Sequence, residues 1–389
     1  MRPTSSWILA LVLGVYLVSC MAQDDKPKEI LIGAVLELTG DGAEIGKEAQ
    51  SGIELAATEI NKRGGINGHR LEIVYEDARS QPAGAVSALQ KLIATKKPPV
   101  VLGALFSTLT LAMAPIAEAN QIVLFSPGSS NPAITSAGDY IFRNYPSDTY
   151  EGRITADYVF SQLCVKNIAI LFPTNDYGIG LRKVFSEHFL RLGGSVRAEE
   201  AYTQSLQDFR THLSKIKQRK PSLIYVPGYF SDVGRILKQA HELGIQASFI
   251  GNVGLADPTI IEIAGKAAEG LRFTTPVINL EAKINEHQSF GESFAQHYRH
   301  EPGFPAAFAY DAVNIVALAM QTGGLSPDEI KNALYRIQDY EGVTGKTGFD
   351  KNGDVVLPFA ITVVKEGKFV QMDEKLYEPN DIRPCDERL

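Results

Sequence analysis

The stretch Ile30-Leu-Ile-Gly-Ala-Val35 begins the strand–helix–strand unit that decides the fold. It is a short, continuously apolar run, which is typical of a strand that is buried on both faces. Ala49 and Ile53 then begin an apolar helix face, and this helix ends at Gly64-Gly65, a common helix terminator. Leu71-Glu-Ile-Val-Tyr75 is the next apolar run and predicts a second strand. The unit as a whole predicts a parallel α/β sheet.

The same alternation of strands and helices continues to about residue 125 and restarts after Tyr150. Asn167-Ile-Ala-Ile-Leu-Phe172 predicts a strand, and Gly193-Gly194 ends the helix that follows it. Two such series predict an α/β fold with two doubly wound parallel sheets. From about residue 286 to 337 the pattern is helical, which we interpret as a return of the chain to the first domain.

Length and composition narrow the class of protein. The chain has 389 residues, enough for two or three domains. Hydrophobic residues make up 44% and charged residues 21%, as in an ordinary globular protein. Lys+Arg 38 against Asp+Glu 45 gives a formal net charge of −7, which excludes a globally basic nucleic-acid-binding protein.

The N-terminus has the features of a secretory signal. Arg2 precedes the apolar stretch from Trp7 to Val18, which as a helix would span about 18 Å, too short for a hydrocarbon core of about 30 Å. Leu17-Val-Ser-Cys20 resembles the bacterial lipobox. This resemblance implies a signal peptide over residues 1–19, a lipid anchor on Cys20 and a tether over residues 20–28. Ordinary cleavage after Ala22 is the alternative.

Two further cysteines, Cys164 and Cys385, would remain in an oxidising, extracytoplasmic compartment. A disulfide between them would close a loop of about 220 residues and stabilise the fold by on the order of 5 kcal/mol in the chain-entropy model. The sequence leaves open whether the two residues come within bridging distance.

Hydroxyl side chains follow two of the predicted strands. Ser107 comes after the strand at Val100, and Ser129-Ser130 follow the strand that ends at Phe125. Ligands of open α/β sheets bind beyond the carboxyl ends of the strands, where backbone N–H groups and hydroxyls can hold a carboxylate. Helix capping is the alternative role of these serines. Tyr177 and Tyr229 follow strands of the second series. Each of them has two possible roles: it covers a ligand, or it packs in the core.

The sequence contains no complete local motif for catalysis or metal binding. Asp350-Lys-Asn-Gly-Asp354 resembles the start of a calcium loop, but Val355 replaces the glycine and Ile361 replaces the final glutamate. The sequence has neither a Gly-x-Ser-x-Gly elbow nor a phosphate loop nor a His-Glu-x-x-His motif. We therefore predict no enzyme activity, no metal and no cofactor.

Several motifs together resemble the type I periplasmic solute-binding proteins, specifically the leucine/isoleucine/valine-binding group that serves ABC importers. They include Gly33-Ala-Val-Leu-Glu-Leu-Thr-Gly40, Glu59-Ile-Asn-Lys-Arg-Gly-Gly-Ile-Asn-Gly68 and Asn175-Asp-Tyr-Gly178. The resemblance implies two α/β lobes joined by three crossover strands. It assigns residues 29–146 and 276–355 to the N-terminal lobe, and residues 147–275 and 356–389 to the C-terminal lobe.

The resemblance also implies roles for the residues singled out above. Ser107 and Ser130 match the hydroxyls that hold an amino acid's carboxylate, beside Ser129, and Gly128 matches the carbonyl that faces its ammonium. Tyr177 and Tyr229 match the tyrosines that close over the ligand.

Two positions depart from the family pattern. Val253 stands where the amino-acid binders have an acid that pairs with the ammonium, and Ile45 stands where they have an aromatic residue. An unpaired buried ammonium is strongly disfavoured, so one hypothesis is a ligand without an α-amino group, such as an aromatic or aliphatic organic acid. The rival hypothesis is an amino acid whose ammonium meets Glu37 or Asp257.

The resemblance implies that the protein binds a solute without chemical change. It would be the periplasmic, lipid-anchored component of an ABC importer, with permease and ATPase subunits as partners and no nucleic acid. A ligand-sensing regulatory protein of the same fold is the alternative, and an enzyme is the third reading.

Overall fold

A computed structural model of the chain describes residues 29–284, 288–355 and 357–372. The predicted signal peptide (1–19), the tether (20–28), Cys20 and Cys385 lie outside the described residues. Over the described part, the chain forms fourteen strands and eleven α-helices. The strands are β1 (Ile30–Leu36), β2 (Leu71–Asp77), β3 (Val100–Gly103), β4 (Val123–Ser126), β5 (Ile141–Arg143), β6 (Asn167–Pro173), β7 (Ser195–Tyr202), β8 (Leu223–Tyr225), β9 (Ser248–Gly251), β10 (Arg272–Pro276), β11 (Tyr340–Gly342), β12 (Gly345–Thr347), β13 (Phe359–Lys365) and β14 (Lys368–Gln371).

The helices surround these strands and follow them in the alternation that the sequence predicts. They are α1 (Ala43–Lys62), α2 (Pro82–Thr95), α3 (Ser107–Ala119), α4 (Asp148–Asp157), α5 (Asp176–Arg191), α6 (Arg210–Gln218), α7 (Phe230–Glu242), α8 (Thr259–Ala264), α9 (Phe290–Tyr298), α10 (Phe304–Gly323) and α11 (Pro327–Arg336). The predicted helical stretch 286–337 is therefore divided into α9, α10 and α11 within its described part.

The first sheet is parallel throughout and has the strand order β2-β1-β3-β4-β5. Ile30 is paired with Leu71, and Gly33 is paired with Val101. The strand order reverses direction between β1 and β3, so the connections from β1 and β3 leave on opposite faces of the sheet. In doubly wound folds this switch point is where ligands bind.

The second sheet has the order β14-β13-β10-β9-β8-β6-β7. Strands β6 to β10 are parallel and repeat the order of the first sheet, with the reversal between β6 and β8. β13 and β14 extend this mostly parallel sheet through antiparallel pairs, β10 with β13 and β13 with β14. A two-residue turn at Glu366-Gly367, with positive φ at both residues, joins these strands, and such a hairpin connects only antiparallel neighbours.

The chain passes between the two sheets three times: between β5 and β6, after β10, and before β13. Helices α9 to α11 pack on the first sheet and share its largest buried cluster. We call the β1–β5 sheet with α1–α3 and α9–α11 the first half, and the other sheet with α4–α8 the second half. Both halves have their own buried apolar core.

Helix α10 is the central helix of the first half. Among the described residues it is the one helix that is long and apolar enough to cross a membrane, but 78% of its most apolar window is buried inside the fold. It packs closely along α1, where Gly52 lies directly against the backbone of Ala306. Its apolar character is therefore that of a core helix.

Candidate functional site

The loops at the carboxyl ends of β3, β4, β6, β8 and β9 meet at one cavity between the two halves. Its position follows from the two switch points, because each reversal of strand order leaves a crevice at this edge of the sheet. The cavity is lined by Ile45, Leu105, Phe106, Ser107, Pro127, Gly128, Ser130, Tyr145, Tyr177, Tyr229, Val253, Gly254, Phe304 and Pro305. Seven of the eight ligand-binding residues expected from the sequence are in this set.

Ser107 and Ser130 supply the hydroxyls of the first-half wall. Ser107 is the first residue of α3, and its Oγ accepts hydrogen bonds from the backbone nitrogens of Ser130 (3.3 Å) and Asn131 (3.1 Å). A hydroxyl has one donor and two acceptor positions, so both acceptor positions of Ser107 are used and its proton remains as a donor. Together with the positive end of the α3 dipole, this wall favours a carboxylate.

Ser129 is the exception among the expected binding residues, because it does not line the cavity. Its Oγ lies 3.1 Å from the carbonyl oxygens of both Ala104 and Leu105 and 2.8 Å from the Thr110 hydroxyl. The side chain therefore points behind the wall and ties the β4 loop to the β3 loop. Ser130 lines the cavity, whereas the hydroxyl of Ser129 bonds within the first half.

Arg143 holds the serine loop from inside the first half. Its guanidinium is fully buried and donates to the carbonyl oxygen of Asn131 (2.9 Å) and to the Thr135 hydroxyl (2.8 Å). Its Nε also donates to Asp354 (2.6 Å), which lies in the segment that leads to β13. The loop that carries Ser130 is thus bonded to a chain crossing.

Aromatic rings form the second-half wall. Tyr177 lies in the first turn of α5 and Tyr229 precedes α7, and their rings stack with centroids 5.2 Å apart. The Tyr177 hydroxyl accepts a hydrogen bond from the Asn252 side chain. The ring of Tyr229 also packs against Phe106 of the first half, with ring centroids 4.7 Å apart. The cluster of Tyr177, Tyr229 and Phe106 therefore contains residues of both halves.

The rest of the lining is mainly apolar. Val253 and Ile45 are both at the cavity, as the alignment with the family implies. The sequence analysis missed the aromatic residues Phe106, Tyr145 and Phe304, which supply the ring surface that Ile45 lacks. Such a lining suits the apolar body of a small solute, with the serines as its polar anchor.

Glu37 and Asp257, the two acids suggested as partners of an ammonium, have other contacts. Glu37 is fully buried, and its carboxyl oxygens accept hydrogen bonds from the backbone nitrogens of Leu105 and Phe106 at 2.8 to 3.2 Å. Burial raises its pKa to about 7, against the effect of these bonds. The Asp257 carboxylate accepts a hydrogen bond from the backbone nitrogen of Thr259 (2.8 Å) at the start of α8.

Two other acids lie beside the cavity and were missed by the sequence analysis. Asp148 and Glu151 are in the first turn of α4, and both are fully buried. Glu151 accepts hydrogen bonds from the Val253 backbone nitrogen (2.8 Å) and the Thr274 hydroxyl. Ser147, which caps α4, and the acids after it are a recognisable helix start, but nothing in that signal indicates burial.

Residues 29–368 match the sequence profile described as periplasmic binding protein. The chain belongs to the periplasmic binding protein family. A Pseudomonas aeruginosa relative, named leucine-, isoleucine-, valine-, threonine-, and alanine-binding protein, is 30% identical over 334 residues, which cover 85% of this chain and 87% of that protein. Membership of this family implies an extracytoplasmic location.

Two solved structures of periplasmic binding proteins are closely similar to this chain. The leucine binding protein LivK of Thermotoga maritima has a TM-score of 0.84 at 29% identity, covering 91% of this chain and 100% of that one. The branched-chain amino acid binding protein LivJ of Streptococcus pneumoniae, in complex with isoleucine, has a TM-score of 0.81 at 30% identity, covering 90% and 100%. These periplasmic binding proteins are named for binding and transport and not for catalysis.

Within residues 29–284, 288–355 and 357–372, no group of three or more His, Cys, Asp or Glu side chains could hold a metal ion. Cys164 is disulfide-bonded. Since Cys20 and Cys385 both lie outside the described residues, pairing with Cys385 stays a prediction.

Proposed function

We propose that the protein is the extracytoplasmic solute-binding component of an ABC importer and captures a small apolar solute with a carboxylate group. The observation that carries this proposal is a cavity that is lined both by Ser107 and Ser130 of one half and by Tyr177 and Tyr229 of the other. The names of the relatives, which include branched-chain amino acids, support the same solute class.

The proposed mechanism is capture by closure. The carboxylate docks on Ser107 and Ser130, and the second half then swings over the apolar body of the solute. Closure requires contacts with both halves, because only a ligand with higher affinity for the closed form shifts the population towards it. Direct hydrogen bonds between the halves, such as the one from Ser205 to Asp41 (2.6 Å), would support the closed form.

The closed protein would then dock on a membrane permease that carries ATPase subunits. We also propose that Cys20 bears a lipid, so that residues 20–28 tether the binding domain to the membrane. A sensory role is the alternative, in which the closed form contacts a separate signalling partner.

Calorimetric titration of the mature protein tests the binding proposal. L-leucine, L-isoleucine, 4-methyl-2-oxopentanoate and benzoate should be compared, and a solute at 100 times its Kd should add about 2.7 kcal/mol to the unfolding free energy. We expect S107A to weaken binding of the preferred acid by about tenfold, the loss of one hydrogen bond to a charged group.

S136A is the matched control, because Ser136 is an exposed serine in the same segment of the first half. It should bind like the wild type. Binding of none of these acids, or equal affinities for S107A and S136A, would contradict the proposed function.

A further inference from the structure

The first turn of α5 contacts the first half just outside the cavity. The Asn131 side chain donates a hydrogen bond to the carbonyl oxygen of Asp176, and the backbone nitrogen of Asp176 donates to the Thr108 hydroxyl (3.4 Å). Asn131 and Thr108 directly follow Ser130 and Ser107 in the chain. The two loops that hold the carboxylate in the proposed function therefore also form this contact with the second half.

Gly180 of α5 lies against the same loop of the first half. A Cβ at this position would lie 2.7 Å from Nδ2 of Asn131, 3.3 Å from its Cγ and 3.2 Å from Cδ of Pro132. The Asn131 side chain is not free to turn away, because its Oδ1 accepts a hydrogen bond from the backbone nitrogen of Ala133 (2.7 Å) and its Nδ2 is bonded to Asp176. A single methyl group at residue 180 would therefore disturb the contact between the halves.

The second half itself gives no reason for this glycine. Gly178 is required within its own half, because a Cβ there would lie 2.5 Å from the carbonyl oxygen of Pro173. Gly180 has no positive φ, and among the helix glycines in the described part of the chain it is the one whose nearest neighbouring atoms all belong to the opposite half. Glycine is unfavourable inside a helix, so the approach of the first half is the physical reason for its presence.

We propose that Gly180 sets how closely the two halves approach each other over the solute. The inference rests on the proposed function, in which the second half closes over a solute that is held by Ser107 and Ser130. Gly180 is a positioning residue, because it lets the first turn of α5, which carries Tyr177, pack against the loop at Asn131. A side chain at residue 180 would meet that loop before Tyr177 reaches its place at the cavity, and the solute would lose contacts with the second half.

A substitution at Gly180 should affect the closed form alone. When the halves are apart, an added methyl group no longer meets Asn131 and Pro132, and it favours the helical state of α5. The apparent affinity for a solute depends on the free energy of the closed form relative to the open one. A larger residue at this position should therefore weaken solute binding and leave the ligand-free fold as stable as before.

The test separates the affinity for the solute from the stability of the fold. Mature G180A would be titrated calorimetrically with L-leucine, L-isoleucine, 4-methyl-2-oxopentanoate and benzoate. We expect the Kd of each acid that the wild type binds to rise at least about fivefold, because the added methyl group overpacks the closed form. Urea unfolding of ligand-free G180A should have a midpoint equal to or above that of the wild type.

E187A is the matched control, because Glu187 is exposed about two turns further along α5. It should bind the same acids with the affinity of the wild type.

A second substitution tests whether contact with Asn131 is the cause. N131A removes the atom nearest to the added methyl group, and it weakens binding by itself because the hydrogen bond to Asp176 is lost. In the N131A background, G180A should raise the Kd less than about twofold, so that the effects of the two substitutions are not additive.

Three results would overturn this role of Gly180 and leave the proposed function standing: equal affinities for G180A and E187A, a G180A effect as large in the N131A background as in the wild type, or a ligand-free G180A protein that is less stable than the wild type. Binding of none of the four acids by the wild type would instead count against the proposed function.

Discussion

Glu37 shows how one buried carboxyl group can organise a binding loop. Its oxygens accept hydrogen bonds from the backbone nitrogens of Leu105 and Phe106, two of the three residues between β3 and the start of α3. Without that acceptor both nitrogens would be buried without a partner. The acid therefore positions the loop before Ser107, although burial raises its pKa to about 7.

At the scale of this residue, stability should depend on pH through Glu37. From pH 4.5, its ordinary pKa, to about pH 7, the unfolded chain loses a proton that the folded protein keeps. The stability contribution is thus present below pH 4.5 and lost as the pH rises through 7. Relative to E37Q, the wild type should lose about 3 kcal/mol of unfolding free energy between pH 4.5 and pH 8.

Urea unfolding of both proteins at several pH values gives this difference, and other titrating groups cancel because both proteins contain them. Glutamine keeps an acceptor oxygen for the two backbone nitrogens, so the variant should fold. Parallel stability curves for the two proteins would show that Glu37 titrates normally.

A site residue can be predicted from the sequence only where its position directly after a strand decides its role. Ser107 and Ser130 follow strands directly, so their place at the cavity could be predicted. The side chain of Ser129 turns away from the cavity, which the sequence could not predict, because the direction of a loop side chain is set by tertiary contacts. Glu151 was missed because its contact with Val253 joins residues 102 positions apart, and no local pattern encodes that distance.

At the scale of elements, the first half depends on the close approach of α1 and α10. A Cβ on Gly52 would lie 2.1 Å from the carbonyl oxygen of Ala306 and 2.8 Å from its carbonyl carbon. Both atoms belong to the backbone of α10 and cannot move aside as a flexible side chain can. Glycine is therefore required for this packing distance.

We expect G52A to lower the unfolding free energy by about 2 kcal/mol, because overpacking against the α10 backbone outweighs the gain of about 1 kcal/mol in helix propensity. Thermal and urea unfolding measure this loss. S51A, the adjacent substitution on α1, should remain within about 0.5 kcal/mol of the wild type. A G52A variant as stable as S51A would show that the helices can separate at little cost.

Elements with a buried apolar pattern were predictable, and elements with a mixed pattern were not. The sequence of β1 is apolar throughout, and so was found. β7 lies at the edge of its sheet and mixes charged with apolar residues, so the sequence analysis did not predict it. α4 was missed because its first turn is rich in polar residues, although these are buried in the fold.

At the scale of the whole molecule, the two halves are held together by a few polar contacts outside the cavity. The Ser205 hydroxyl of the second half donates to Asp41 of the first (2.6 Å), and the Asn131 side chain donates to the carbonyl oxygen of Asp176. None of these four residues lines the cavity within the described part of the chain. These contacts would therefore raise the affinity for the solute only by stabilising the closed form.

S205A should therefore weaken solute binding by about two- to tenfold, the effect of one exposed hydrogen bond on the closed state. Calorimetry gives the affinity. Small-angle scattering of the ligand-free proteins should show a larger radius of gyration for S205A than for the wild type. S222A is the control, since Ser222 lies before β8 at the edge of the sheet away from the cavity. An unchanged affinity in S205A would mean that this contact does not stabilise closure.

The buried guanidinium of Arg143 has a consequence for how the specificity of this protein could change. It fastens the loop that carries Ser130 to Asp354, so the acid-docking surface and a connecting segment share one rigid support. Remodelling that wall would also alter the path by which the halves are joined. New solute preferences are therefore more accessible through Ile45, Val253 and Tyr229, which can vary in size while the anchor for the carboxylate stays fixed.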